Sequence, residues 1–95
     1  MPTDQKVTVL RLFVTGRTGR ADRAIAMLRN ICENELKGEY ELSIVDVLEN
    51  PEIAESERVI ATPTLVKRLP PPMRRIIGDL SDREKVLMGL QIDPP

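Results

Sequence analysis

The sequence predicts one α/β domain with the element order β-α-β-α-β-β-α. Three observations carry that expectation. The stretches VTVLRLFVT (7–15) and YELSIVDVL (40–48) alternate their side chains with a period of two and are rich in β-branched residues. Between them, from Arg20 to Leu36, apolar residues recur at i, i+3, i+4 and i+7. Ninety-five residues suffice for one small core, so residues 1–95 form a single domain.

The first strand sends Val7, Val9, Arg11, Phe13 and Thr15 to one face and Thr8, Leu10, Leu12 and Val14 to the other. Gly16-Arg17-Thr18-Gly19 turns the chain into the helix; without GxxxxGK[ST] it is a β-to-α turn and not a phosphate loop. The helical stripe is Ala21, Ala24, Ile25, Leu28, Ile31, Cys32 and Leu36, and Gly38 stands where a C-cap belongs. The second strand places Leu42 and Ile44 opposite Val45 and Val47. Asn50-Pro51 then supplies an N-cap and a first-turn proline for a short helix reaching Arg58. Val59–Leu69 is extended despite Pro63. Pro70, Pro71 and Pro72 turn the chain, Met73–Ile77 returns antiparallel, and Gly78 ends it. Ser81 with Glu84 fits a capping box for a last helix through Leu90, and the terminal IDPP is expected to fray.

Composition removes most chemistry. With no His, the commonest general base and metal ligand is missing. One cysteine, Cys32, forms neither an intramolecular disulfide nor a CxxC pair, and on the apolar stripe it reads as a packed thiol. Structural zinc is therefore not expected, nor any other cofactor or catalytic group. Fourteen basic against fifteen acidic residues give no electrostatic case for nucleic acid or membrane, and one Phe, one Tyr and no Trp leave no base-stacking platform. With no signal-peptide core and no long apolar run, a cytoplasmic, non-enzymatic protein is expected.

A strand, crossover helix and second strand pair in parallel, with the later hairpin as an antiparallel edge. That is a thioredoxin-like layout, including a proline at the start of the third strand. In that fold the equivalent proline is usually cis and faces the start of the first helix, where redox proteins carry CxxC. Here that place is Gly16-Arg17-Thr18-Gly19-Arg20, which has no sulfur. A thioredoxin-like oxidoreductase is thus disfavoured.

The segments VLRLFVTGRT (9–18), YELSIVDVLENPEIAE (40–55) and above all ATPTLVKRLPPPMRRIIGDLSDREKVLMGL (61–90) closely resemble the KaiB family of circadian clock proteins. The combination ATPTL, PPPxRRIIGDLS and DREKVL is highly specific. The resemblance implies two folds of one sequence. The thioredoxin-like form is monomeric and binds the N-terminal ring of the ATPase KaiC. The resting form has the order β-α-β-β-α-α-β and assembles into dimers and tetramers. Residues 1–49 would be the constant half and 50–95 the switching half. On KaiC, the family's active form holds KaiA and displaces a KaiC-binding histidine kinase. A KaiB-like sensory module for a histidine kinase is a further reading, and with nothing fused here it would act in trans. Relatives also occur without KaiA, in stress or timer systems. Where clock relatives often carry an acid and then an acidic tail, this chain has Gln91 and stops at Pro95.

Two packings of one sequence can differ by only a few kcal/mol. Pro63, Pro70, Pro71 and Pro72, with Gly89 inside a helical pattern, mark the ambiguous half, and slow isomerisation before Pro63, Pro71 or Pro72 would give a switch its barrier. Lys67-Arg68 and Arg74-Arg75 flank the proline turn and are expected to cluster at one end of the hairpin, facing an acidic partner. By resemblance, Arg23 and Arg58 join them at positions implicated in KaiC binding. Gly89→Ala is expected to favour whichever state makes that segment helical.

Overall fold

The computed structural model describes residues 7–37, 39–78 and 80–90. In chain order it contains β1 (Thr8–Val14), α1 (Gly19–Glu35), β2 (Tyr40–Asp46), α2 (Pro51–Ser56), β3 (Thr64–Leu69), β4 (Arg74–Ile77) and α3 (Arg83–Leu90). The expected order is the observed one. The strands form one sheet in the order β2-β1-β3-β4. β1 and β2 run parallel, with Leu10 beside Leu42 and Leu12 beside Ile44. β3 is antiparallel to β1 and β4 to β3, so the hairpin supplies the second edge.

Strand alternation sorts the two faces of the sheet. Leu10, Leu12 and Val14 join Leu65, the α1 stripe, and Val86, Leu87 and Leu90 of α3 in the main core. Every stripe position from Ala21 to Cys32 is buried, at roughly 1.5–3 kcal/mol for each large aliphatic side chain. The other face carries Phe13, Val66 and Thr64, all fully buried, with arginines beyond them. No described helix is long and apolar enough to cross a membrane.

Local hydrogen bonds explain where element ends depart from the periodicity. Thr18 caps α1, its hydroxyl accepting from the Ala21 N–H at 3.1 Å. Gly16 takes φ +70°, and its N–H donates to the Asp46 carboxylate at 3.1 Å. That carboxylate also accepts from Leu48 N–H, so β2 stops at Asp46 and not at Leu48. Asn50 stands before α2 but does not cap it; its amide donates back to the Asp46 carbonyl. α2 ends at Ser56, short of Arg58, and buries none of its residues. β3 begins only at Thr64, because Pro63 has no N–H for a ladder and the Thr64 hydroxyl folds back onto the Ala61 carbonyl. The peptide bonds before Pro63, Pro70 and Pro72 are cis. The cap of α3 is Asp82 and not Ser81: its carboxylate accepts from Glu84 and Lys85 N–H. Gly38, Gln91 and the terminal IDPP lie outside the described residues.

Candidate functional site: a partner-binding surface

Pro63 is buried and lies against the start of α1, as the layout requires. A cavity of about 230 Å³ between them is lined by Val14, Thr15, Thr18, Arg20, Ala21, Thr62 and Pro63. Where a redox protein would hold sulfur, Thr15 and Thr62 share a hydroxyl–hydroxyl bond of 2.7 Å. The one thiol, Cys32, is fully buried elsewhere. Burial first, and then the charge of Glu33, push its pKa up to about 11, against a smaller opposing effect of Arg29. At neutral pH it is protonated and sealed, the reverse of what a nucleophile needs.

The basic residues divide into two groups. Lys67 pairs with Arg74 across the hairpin and Val66 with Arg75, so each adjacent basic pair sends one member to each face of the sheet. The expected single cluster is corrected by the period of the strand. On the face away from α1, Arg68 and Arg11 converge on one carboxylate oxygen of Glu57, at 2.7 and 3.2 Å. Beside them Arg75 donates to the carbonyls of Glu57 and Arg58, at 2.7 and 3.2 Å. Arg68 and Arg75 therefore fasten the end of α2 to the sheet.

Four of the six have no ion pair among the described residues: Arg23, Arg58, Lys67 and Arg74. Arg23 is exposed on α1 and lines a cavity of about 250 Å³ with Arg20, Ala24, Pro63, Leu80 and Ser81. Arg58 is exposed in the left-handed region at φ +57°. Arg74 is exposed, and Lys67 opposite it is only 4% exposed. Burial and then the Arg74 charge hold the Lys67 ammonium below the usual lysine range. A buried cation facing a second cation is electrostatically unfinished, and an incoming carboxylate would relieve both.

At the hairpin tip Pro71 and Pro72 are exposed and Pro70 is half-buried. Gly89 lies within α3, where a Cβ would stand 2.7 Å from Ile76 Cδ1 and 2.9 Å from Ile76 Cγ1. The expected benefit of Gly89→Ala therefore meets a steric cost invisible in the sequence. Two features escaped the sequence reading. One is Glu57, the hub of the arginines. The other is a groove of about 670 Å³ lined chiefly by Val47, Pro51, Ala54, Glu55, Val59 and Ile60. A signal existed for the second: all charged residues from 39 to 57 are acidic, and all from 58 to 78 are basic.

Residues 11–92 match the KaiB domain family. The chain is 57% identical to the circadian clock oscillator protein KaiB of Rippkaea orientalis, across 93% of this chain and 85% of that protein. It is 54% identical to the KaiB of Microcystis aeruginosa, across 97% and 88% respectively. Among solved structures, the N-terminal domain of Synechococcus elongatus SasA superposes with a TM-score of 0.76 at 26% identity, covering 96% of this chain and 89% of that one. Mitochondrial thioredoxin 3 of Saccharomyces cerevisiae shares the fold, with a TM-score of 0.70 at 21% identity over 88% of this chain and 76% of its own. A sulfur-free thioredoxin-like scaffold and these relatives agree: the chain belongs to the KaiB family.

Proposed function

We propose that this protein is a non-catalytic regulator of a KaiC-type ATPase in a clock or related timing system, acting in the cytoplasm. In the fold described here it binds the N-terminal ring of KaiC. Residues 50–95 are the half that rearranges into the resting dimer or tetramer. Where KaiA and a KaiC-binding histidine kinase are present, the bound form holds the first and displaces the second. The likeness to the SasA N-terminal domain supports competition through a common scaffold.

The observation that carries the reading is the unpaired basic surface of a KaiB-family chain. Arg74, exposed and facing the buried Lys67, is its best candidate for meeting an acidic surface, whereas Arg68 and Arg75 are occupied internally. Mixing the protein with KaiC and ATP and following complex formation by native mass spectrometry tests it. A slowly formed complex is expected, with Arg74→Ala weakening it about tenfold, or about 1.4 kcal/mol. Absence of any complex over a day at micromolar concentration would sink the reading; unchanged affinity would remove Arg74 from the surface.

A further inference from the structure

The chain is nearly neutral, with a net charge of −1, yet its charges are segregated. The acidic block 39–57 comprises β2 and α2, and the basic block 58–78 comprises the β3–β4 hairpin. Because the strand order is β2-β1-β3-β4, these blocks occupy opposite edges of the sheet. The molecule is electrostatically two-ended.

Each end also exposes apolar side chains. At the acidic end, α2 buries nothing, and the groove beside it is walled by Val47, Pro51, Ala54, Val59 and Ile60. Ile60 is 86% exposed and Leu48 68%. Glu55 lines this groove, and Glu49 and Glu52 are exposed on the same segment. At the basic end, the turn Leu69-Pro70-Pro71-Pro72-Met73-Arg74 presents Leu69, 42% exposed, and Met73, 58% exposed, next to the exposed Arg74. Three prolines stiffen that turn, so docking it costs little ordering entropy. An apolar, acid-rimmed groove and an apolar, arginine-flanked turn are complementary in both respects.

We propose that the groove of one copy receives the proline turn of a second copy, head to tail. Met73 and Leu69 enter against Ile60 and Val59, and Arg74 pairs with Glu55 or Glu52 at the rim. The contact is heterologous: each copy offers one groove and one turn, so it extends into short chains or closes into a ring. Its size places it with transient interfaces, weak in isolation and reinforced wherever copies are lined up side by side. It concerns the fold described here, and its test uses this chain alone, independently of KaiC.

Sedimentation velocity on the isolated protein decides it. At hundreds of micromolar and low salt the wild type should sediment above the monomer, returning to it near ~0.5 M salt. A groove variant, Ile60→Asp with Glu55→Lys, and a turn variant, Met73→Asp with Arg74→Glu, should each stay monomeric alone. Mixed in equal amounts, they should form a dimer and nothing larger, because each retains the half-site the other lacks. That restoration also proves both variants folded. A wild type that remains monomeric throughout, variants that associate like the wild type, or a mixture that stays monomeric would each overturn the proposal.

Discussion

Arg58 holds a backbone conformation that suits glycine. At φ +57° a side chain costs about 1–2 kcal/mol, yet this one is exposed and pairs with no acid among the described residues. Glycine would adopt the same backbone without that cost, at the expense of roughly 0.5–1 kcal/mol in unfolded-chain entropy. Arg58→Gly is therefore expected to leave unfolding stability unchanged or to raise it by up to about 1 kcal/mol, while lowering affinity for KaiC severalfold. Denaturant melts and a binding titration read the two separately. A marked loss of stability would make Arg58 structural. This residue's charge was legible in the sequence, but its strain was not, because the left-handed turn exists only after Glu57 has met the sheet. Cys32 is the opposite case: its place on the helical stripe already gave its burial. Arg68 and Arg75 looked equivalent to Lys67 and Arg74 until the hairpin register separated them.

At the level of the element, period identified each helix and strand, and side-chain hydrogen bonds trimmed their ends. Asp82 displaced Ser81 as the cap of α3, and Asp46 cut β2 short, because carboxylates one turn away compete for the same backbone N–H groups. Packing between elements was illegible for a related reason: a pattern names the buried face and not the neighbour upon it. Gly89 is the clearest instance. In an open helix Gly→Ala gains about 0.5–1 kcal/mol. Here the new methyl displaces Ile76, whose β-branched side chain rotates at a cost of about 0.5–1.5 kcal/mol. Gly89→Ala should therefore stabilise this fold little or weaken it slightly. Introduced into Ile76→Ala, which removes both crowding atoms, it should recover the full helical gain. Thermal melts of the four proteins close a double-mutant cycle. Additive effects would mean that Ile76 does not oppose the substitution.

For the whole molecule, the important asymmetry is between a core fixed by burial and a segment fixed by charge. β1, α1, β3 and α3 share apolar contacts in one cluster. α2 belongs to none of it; the carboxylate and carbonyl of Glu57, gripped by Arg11, Arg68 and Arg75, anchor its end. Glu57 is mostly but not fully covered, so the linkage stabilises by about 1–2 kcal/mol, below the value of a deeply buried pair. Glu57→Gln keeps the shape and removes the charge. An opening that releases α2 loses these contacts and is made easier, whereas an opening that leaves them intact does not feel the substitution. Amide exchange at Ala54, Glu57 and Arg58, whose N–H groups bond within and just beyond α2, should accordingly accelerate about 5–30-fold. Amides released by fraying of the β2 edge should exchange as before. Equal acceleration of both would show that the substitution loosens the entire domain. No acceleration at α2 would show that the helix opens without releasing Glu57, and the arginine linkage would not be what holds the second half of the chain in this fold.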